Sequence, residues 1–171
     1  MTILDLSDVS KSFSALKVTD AVSFAVPKGQ ALGIIGPNGA GKSTLFNLIT
    51  GNIAPDTGRI TFLGQDVTRR PAMDRVRMGV GRSFQIPQPF EGLTVYENLA
   101  VAASFGQGKS EAAVTEDCIR ILHDTELLRL ANTPAGALSL LDRKRLELAR
   151  AMATGPELLL LDEIAGGLTE G

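Results

Sequence analysis

Gly36-Pro-Asn38-Gly39-Ala40-Gly41-Lys42-Ser43-Thr44 places glycines, a lysine and two hydroxyls at the spacing G-x-x-x-x-G-K-[ST]. Those residue types handle phosphate. Gly39 and Gly41 let successive backbone N–H groups turn inward toward an anion, with no Cβ in the way. Lys42 supplies a positive charge for the terminal phosphates, and the Ser43 hydroxyl an oxygen for Mg²⁺. A second constellation stands near the other end, at Leu158-Leu-Leu-Leu-Asp162-Glu163. A buried parallel strand that ends in carboxylates delivers them to the side of the sheet where ligands bind. Asp162 is expected to hold Mg²⁺ there, and Glu163 to polarise the water that attacks a γ-phosphate. Between the two, Gln85 offers a neutral amide that could contact Mg²⁺ or that water and report nucleotide state to the segment after it.

The elements that must position these groups follow from hydrophobic period and turn chemistry. Residues 3–9 alternate, residues 21–26 form a second strand, and the apolar residues 31–35 are expected as a strand covered on both faces. The phosphate loop then opens a helix at Leu45-Phe-Asn-Leu-Ile49. Pro55-Asp-Thr-Gly58 turns the chain into a strand over 59–63, a short polar helix follows over 71–78, and a short strand over 80–84. Ile86-Pro-Gln-Pro-Phe90, with two prolines, fits neither a helix nor a central strand. Residues 94–130 are helical, with apolar stripes at Val95, Leu99 and Ala102 and at Ile119, Leu122 and Leu127, separated at Gly106-Gln-Gly108. A third helix runs from Ser139 to about Thr154 and ends at Gly155-Pro156. Ser139-x-x-Asp142 has the spacing of a helix cap.

Bulk properties exclude more than they identify. At 171 residues the chain holds one sizeable core or a core with a small subdomain, and its 44% hydrophobic and 21% charged residues are ordinary for a folded protein. A net charge of −2 gives no electrostatic reason to expect nucleic acid as a partner. The single cysteine, Cys118, cannot close an internal disulfide, and no apolar stretch is long enough to span a bilayer. A cytoplasmic setting is expected. Cys118, Met73 and Met78 read as packing residues, His123 as an ordinary helix residue, and Arg69, Arg70, Arg75, Arg77, Arg143, Lys144 and Arg145 as solvated charges.

Residues 36–44, Gly81-Arg-Ser-Phe-Gln85, Leu138-Ser139 and residues 158–163, in that order around a helical insertion, resemble the ATP-binding subunits of ABC transporters. Phe90-Glu-Gly-Leu-Thr-Val-Tyr-Glu-Asn98 and Arg145-Leu-Glu-Leu-Ala-Arg150 look most like the branched-chain amino acid importer group. The resemblance implies an α/β fold: a P-loop NTPase (RecA-like) core with an N-terminal antiparallel β subdomain and a helical ABC-specific insertion. It divides the chain into a nucleotide-binding core over 1–85, a helical subdomain over 86–154 and a return to the core over 155–171. ATP and Mg²⁺ are the implied ligands. Phe13 matches the aromatic that stacks on adenine, and Gly36, Asn38, Gly39, Ala40, Gly41, Lys42, Ser43 and Thr44 match the phosphate loop. Ser43, Gln85 and Asp162 match the Mg²⁺ side, Glu163 the catalytic base with Gln85 beside it, and Ser139 the signature serine facing a partner's nucleotide. The implied partners are integral-membrane permease subunits and a second ATP-binding subunit, like or unlike, at the cytoplasmic face of the inner membrane. Residues 86–90 look like part of the permease-facing surface.

Departures from the family pattern set further expectations. The signature reads Leu138-Ser139-Leu140-Leu141-Asp142, with leucines where glycines are usual and an acid facing a polyanion. Ile164 replaces a usual proline and Thr169 a usual aspartate, and no histidine follows the paired acids before Gly171. These point to a subunit lacking the C-terminal part of its core, binding Mg-ATP weakly and hydrolysing it slowly or not at all. A nucleotide-binding remnant and an ABC ATPase outside transport are the competing readings.

Overall fold

The computed structural model describes residues 1–162, so Glu163, Ile164 and Thr169 lie outside the described residues. They gather into two compact units, Met1–Arg75 and the residues from Val76 onward. In the first, β1 (Thr2–Phe13) and β2 (Leu16–Pro27) form a long antiparallel hairpin, turned at Ser14 and Ala15. Both strands run further than the alternation over 3–9 and 21–26 suggests, because register shifts along the pair disguise the two-residue period. The strands β3 (Thr57–Phe62) and β4 (Gln65–Asp66) add to the far side of β1, giving the order β2-β1-β3-β4. Leu4, Leu6, Val9, Ile60 and Phe62 are buried, each worth roughly 1.5–3 kcal/mol relative to exposure. The phosphate-loop helix is α1 (Lys42–Thr50), which touches β2.

Residues 31–35 are not a strand. A strand exists only where a neighbour takes up its N–H and C=O groups, and this segment joins no ladder among the described residues. Leu32 and Ile35 are accordingly 53% and 97% exposed. The short helix α2 (Ala72–Arg77) then leads out of the first unit. Met73 on it is exposed rather than packed.

In the second unit β5 (Val80–Arg82) pairs in parallel with β6 (Leu158–Leu160). The leucine strand therefore has one neighbour among the described residues, rather than the central place expected for it. Helices α3 (Val95–Gln107), α4 (Glu111–Asp124) and α5 (Leu140–Ala153) pack around Val95, Leu99, Val114, Leu122, Leu127 and Leu146. Of the second stripe expected, Leu122 and Leu127 are buried and Ile119 is exposed, its place on the inner face of α4 taken by Ile121 beside Cys118, which is buried as expected. On α3 the fully buried alanine is Ala103, with Ala102 partly buried against the same core. Thr94 and Glu97 close a reciprocal cap on α3, and Gly108, rather than Gly106 within the helix, ends it.

Asp56 ties the turn before β3 to β1. Its carboxylate accepts the Lys11 ammonium and the Ser12 N–H, each at 2.8 Å. The Lys11 bond and then the Ser12 bond hold its pKa below the ordinary 3.8. A lowered acid contributes stability that is complete above its unfolded value and is lost as pH falls through the folded one. In urea titrations between pH of about 4 and 2, Asp56→Asn should flatten the acid loss of stability.

Candidate functional site

The phosphate-loop residues lie in the first unit. The Ala40 N–H donates to the Pro37 carbonyl at 3.2 Å, closing a tight turn. Lys42 folds back over that turn, its ammonium donating to the carbonyls of Gly36 at 2.6 Å and Pro37 at 2.9 Å. Asn38, Gly39, Ala40 and Ser43 are exposed, while Gly36, Gly41, Lys42 and Thr44 are half-buried. Gly41 caps α1 at φ 87°, and a Cβ there would stand 2.7 Å from the Val18 carbonyl oxygen. Only glycine allows the loop to approach β2 so closely. Val18 lies two residues beyond Leu16, the hairpin partner of Phe13, so loop and hairpin tip are neighbours. Phe13 is 47% exposed, with the Lys11 ammonium 5.7 Å from its ring centroid.

The start of α1 is suited to an anion. It has no side-chain cap and no acid in its first turn. The first intrahelical bond runs from the Leu45 N–H to the Gly41 carbonyl at 2.9 Å, which leaves the Lys42, Ser43 and Thr44 N–H groups outside the helix ladder. Their partial positive charge favours phosphate.

The other end of α1 is held by a residue the sequence does not single out. Arg75, expected as a solvated charge, is 1% exposed. It donates to the carbonyls of Leu48 at 2.7 Å and Ile49 at 2.8 Å, and to those of Arg70 at 3.0 Å and Thr68 at 3.3 Å. Burial lowers its pKa to about 10, so it stays charged at neutral pH. The cation satisfies carbonyls that the helix leaves over and faces the negative end of its dipole. Gly51 makes room, since a Cβ there would lie 2.7 Å from the Arg75 Nε. A glycine directly after an apolar helix is the one signal in the sequence here, and it marks a helix end without naming the arginine.

The second unit carries Gln85, Ser139 and Asp162. The β5–β6 register sets Arg82 opposite Leu160, and Asp162 follows two residues on. The Arg82 Nη2 lies 3.2 Å from the Asp162 Oδ2, with the two side chains only 9% and 11% exposed. The same guanidinium covers the Phe84 ring at 5.1 Å. Gln85 is exposed three residues after Arg82. Within this unit Gln85 and Asp162 offer amide and carboxylate oxygens, hard donors of the kind that suit Mg²⁺, and the Ser43 hydroxyl of the first unit is a donor of the same kind.

Ser139 caps α5 as its spacing suggests. Its Oγ accepts the Asp142 N–H at 3.1 Å and donates to the Asp142 Oδ2 at 2.7 Å. Leu140 and Leu141 beside it are exposed. Arg143 and Arg145 are less solvated than expected: Arg143 donates to the Gly136 carbonyl at 2.6 Å, and Arg145 pairs with Glu126 at 2.7 Å. Glu147 and Arg150 on the same helix bond to the main chain on either side of Gln85, and the fully buried Asn98 to Phe90 beyond it; none of the three is legible as a site residue in the sequence. Desolvation raises the Glu147 pKa, opposed by Arg150 and by backbone bonds from Phe84 and Gln88.

A nucleotide-phosphate loop of this form, on an α/β fold with an antiparallel β subdomain and a helical part, defines a class that sequence and structure comparisons identify. The model of the ABC transporter family matches residues 19–166. The probable branched-chain amino acid transport ATP-binding protein LivG of Archaeoglobus fulgidus is 38% identical over 98% of this chain and 70% of its own length. The lipopolysaccharide export ATP-binding protein LptB of Haemophilus influenzae is 33% identical over 98% of this chain and 70% of its own length. The solved structure of MJ1267, an ATP-binding cassette of an ABC transporter, superposes with a TM-score of 0.86 at 36% identity, covering 98% of this chain and 71% of that one. The chain belongs to the ABC transporter family and is, by family, an ATPase. No helix among the described residues is long and apolar enough to cross a membrane.

Two substitutions test the supports of the site. Arg75→Met leaves buried carbonyls without donors and should lower the urea-derived stability by about 3 kcal/mol. Arg82→Met strands the Asp162 carboxylate in a dry setting and should cost about 3 kcal/mol by the same measurement, with a partial return in Arg82→Lys.

Proposed function

We propose that the chain is the ATP-binding and hydrolysing subunit of an ABC importer, with branched-chain amino acids as the solute class. It works at the cytoplasmic face of the inner membrane, bound to integral-membrane permease subunits and paired with a second ATP-binding subunit. The functional division is a nucleotide core over 1–85, a helical subdomain over 86–154 and a return to the core over 155–171. The observation that carries this reading is the uncapped, acid-free start of α1 beside a lysine that spans the loop. A relative named for branched-chain amino acid transport supports the solute class. A relative of similar identity named for lipopolysaccharide export fits a solute chosen by the permease rather than by this chain.

Within this reading Phe13 stacks on adenine, residues 36–44 bind the phosphates, and Ser43, Gln85 and Asp162 face the metal side. Mg²⁺, when bound, neutralises charge on the phosphate oxygens. Glu163 is the base that takes a proton from the attacking water, with Gln85 orienting that water. Ser139 faces the nucleotide of the second subunit. Its hydroxyl already donates to Asp142, which favours a second reading in which this signature contacts phosphate poorly and the chain binds nucleotide with slow turnover.

Titration with a fluorescent ATP analogue tests the site. Lys42→Ala should weaken binding by about tenfold or more, through loss of the charge at the phosphates. Unchanged binding in that variant would overturn the assignment. Steady-state phosphate release should be slow in the parent chain and lower still in Glu163→Gln.

A further inference from the structure

Helix α5 carries two side chains that reach the main chain on either side of Gln85. Glu147, 7% exposed, accepts the Phe84 N–H on Oε1 at 3.3 Å and a backbone bond from Gln88. Arg150, a turn later, donates from Nη1 to the Gln88 carbonyl at 2.9 Å and to the Glu147 Oε2 at 3.3 Å. Its guanidinium lies 5.2 Å from the Phe90 ring centroid. Asn98 on α3 fixes the far end, accepting the Phe90 N–H at 2.9 Å and donating to the Phe90 carbonyl at 3.1 Å. The residues that flank Gln85 are thus bonded to one helix, and that helix begins at Ser139.

Packing alone does not call for these groups. A buried carboxylate is costly unless donors surround it, and a leucine would fill the same space on the inner face of α5. The Glu147 carboxylate instead meets two backbone donors and one guanidinium, an arrangement that fixes a loop whose two prolines deny it regular structure.

We propose that Glu147 and Arg150 are the positioning pair for Gln85. By clamping the backbone at Phe84 and Gln88 to α5, they set the Gln85 amide at a fixed place and make it move with Ser139. The proposal rests on the reading of Gln85 as a contact for nucleotide-bound Mg²⁺. Neither residue touches nucleotide; both act through the loop.

Binding of the fluorescent ATP analogue to the full chain, with Mg²⁺ and with chelator, provides the test. Glu147→Gln keeps the side-chain volume, but its Nε2 cannot accept a backbone N–H and opposes Arg150. It should weaken Mg²⁺-dependent binding by about tenfold, as outer-shell partners of a metal site do, and leave binding in chelator unchanged. Gln85→Ala should do the same, and the double variant should be no weaker than Gln85→Ala alone. Amide exchange at Phe84 and Gln88 should quicken in Glu147→Gln, with α3 unaffected. Arg150→Gln should repeat the pattern. Losses equal with and without Mg²⁺, or additive losses in the double variant, overturn the proposal while the reading of Gln85 stands. No effect of Gln85→Ala on Mg²⁺-dependent binding overturns both, and is recognised because Lys42→Ala still weakens binding by about tenfold or more.

Discussion

Among the described residues the N–H groups at the front of α1 meet no side-chain cap, while the carbonyls at its back are bonded by the buried guanidinium of Arg75. These two facts belong together. A nine-residue helix is too short to be stable in water by itself, so its position depends on what holds its ends. Were both ends satisfied by side chains, the helix would be firm but would have nothing to offer an anion. Were both open, it would fray. Fixing the rear with a cation and leaving the front bare keeps the dipole aimed outward and the loop seated against β2 through Gly41.

The second unit solves a different problem by similar means. Here the chemistry-bearing groups sit on irregular backbone, and charge holds them from the sides. Arg82 meets the carboxylate at the end of the leucine strand, and Glu147 with Arg150 meets the main chain around Gln85. Asp162 and Glu147 are buried, Arg82 and Arg150 partly so, and each finds a complement within hydrogen-bonding distance. The helical core of α3, α4 and α5 supplies the rigid surface from which these side chains project.

What the sequence revealed, it revealed through local rules. The phosphate loop is defined by consecutive residues whose backbone freedom and charge act over a few ångströms, so spacing alone made it readable. The α5 cap is equally local, since Ser139 and Asp142 are three residues apart. Arg75 reads as a solvated charge in the sequence because its partners on α1 lie about 26 residues upstream and no helical period on a six-residue helix marks its direction. Residues 31–35 were misread for the opposite reason: an apolar run states a preference for burial, but a strand is a property of pairs. Glu147 stayed hidden because an acid on a helix resembles every other acid on a helix until the loop packed against it is known.

The hairpin of β1 and β2 has an outer border worth following one step further. Among the described residues β2 ends the order β2-β1-β3-β4, so one side of this twelve-residue strand pairs with no further strand. Its pairing with β1 is broken by register shifts, Lys17 and Asp20 form an ion pair along it, and Pro27 terminates it. A kinked, charged margin of this kind is a poor template for a stray strand. The irregularities that hid the hairpin's period thus also guard the molecule against sticking to its own copies while it is still folding.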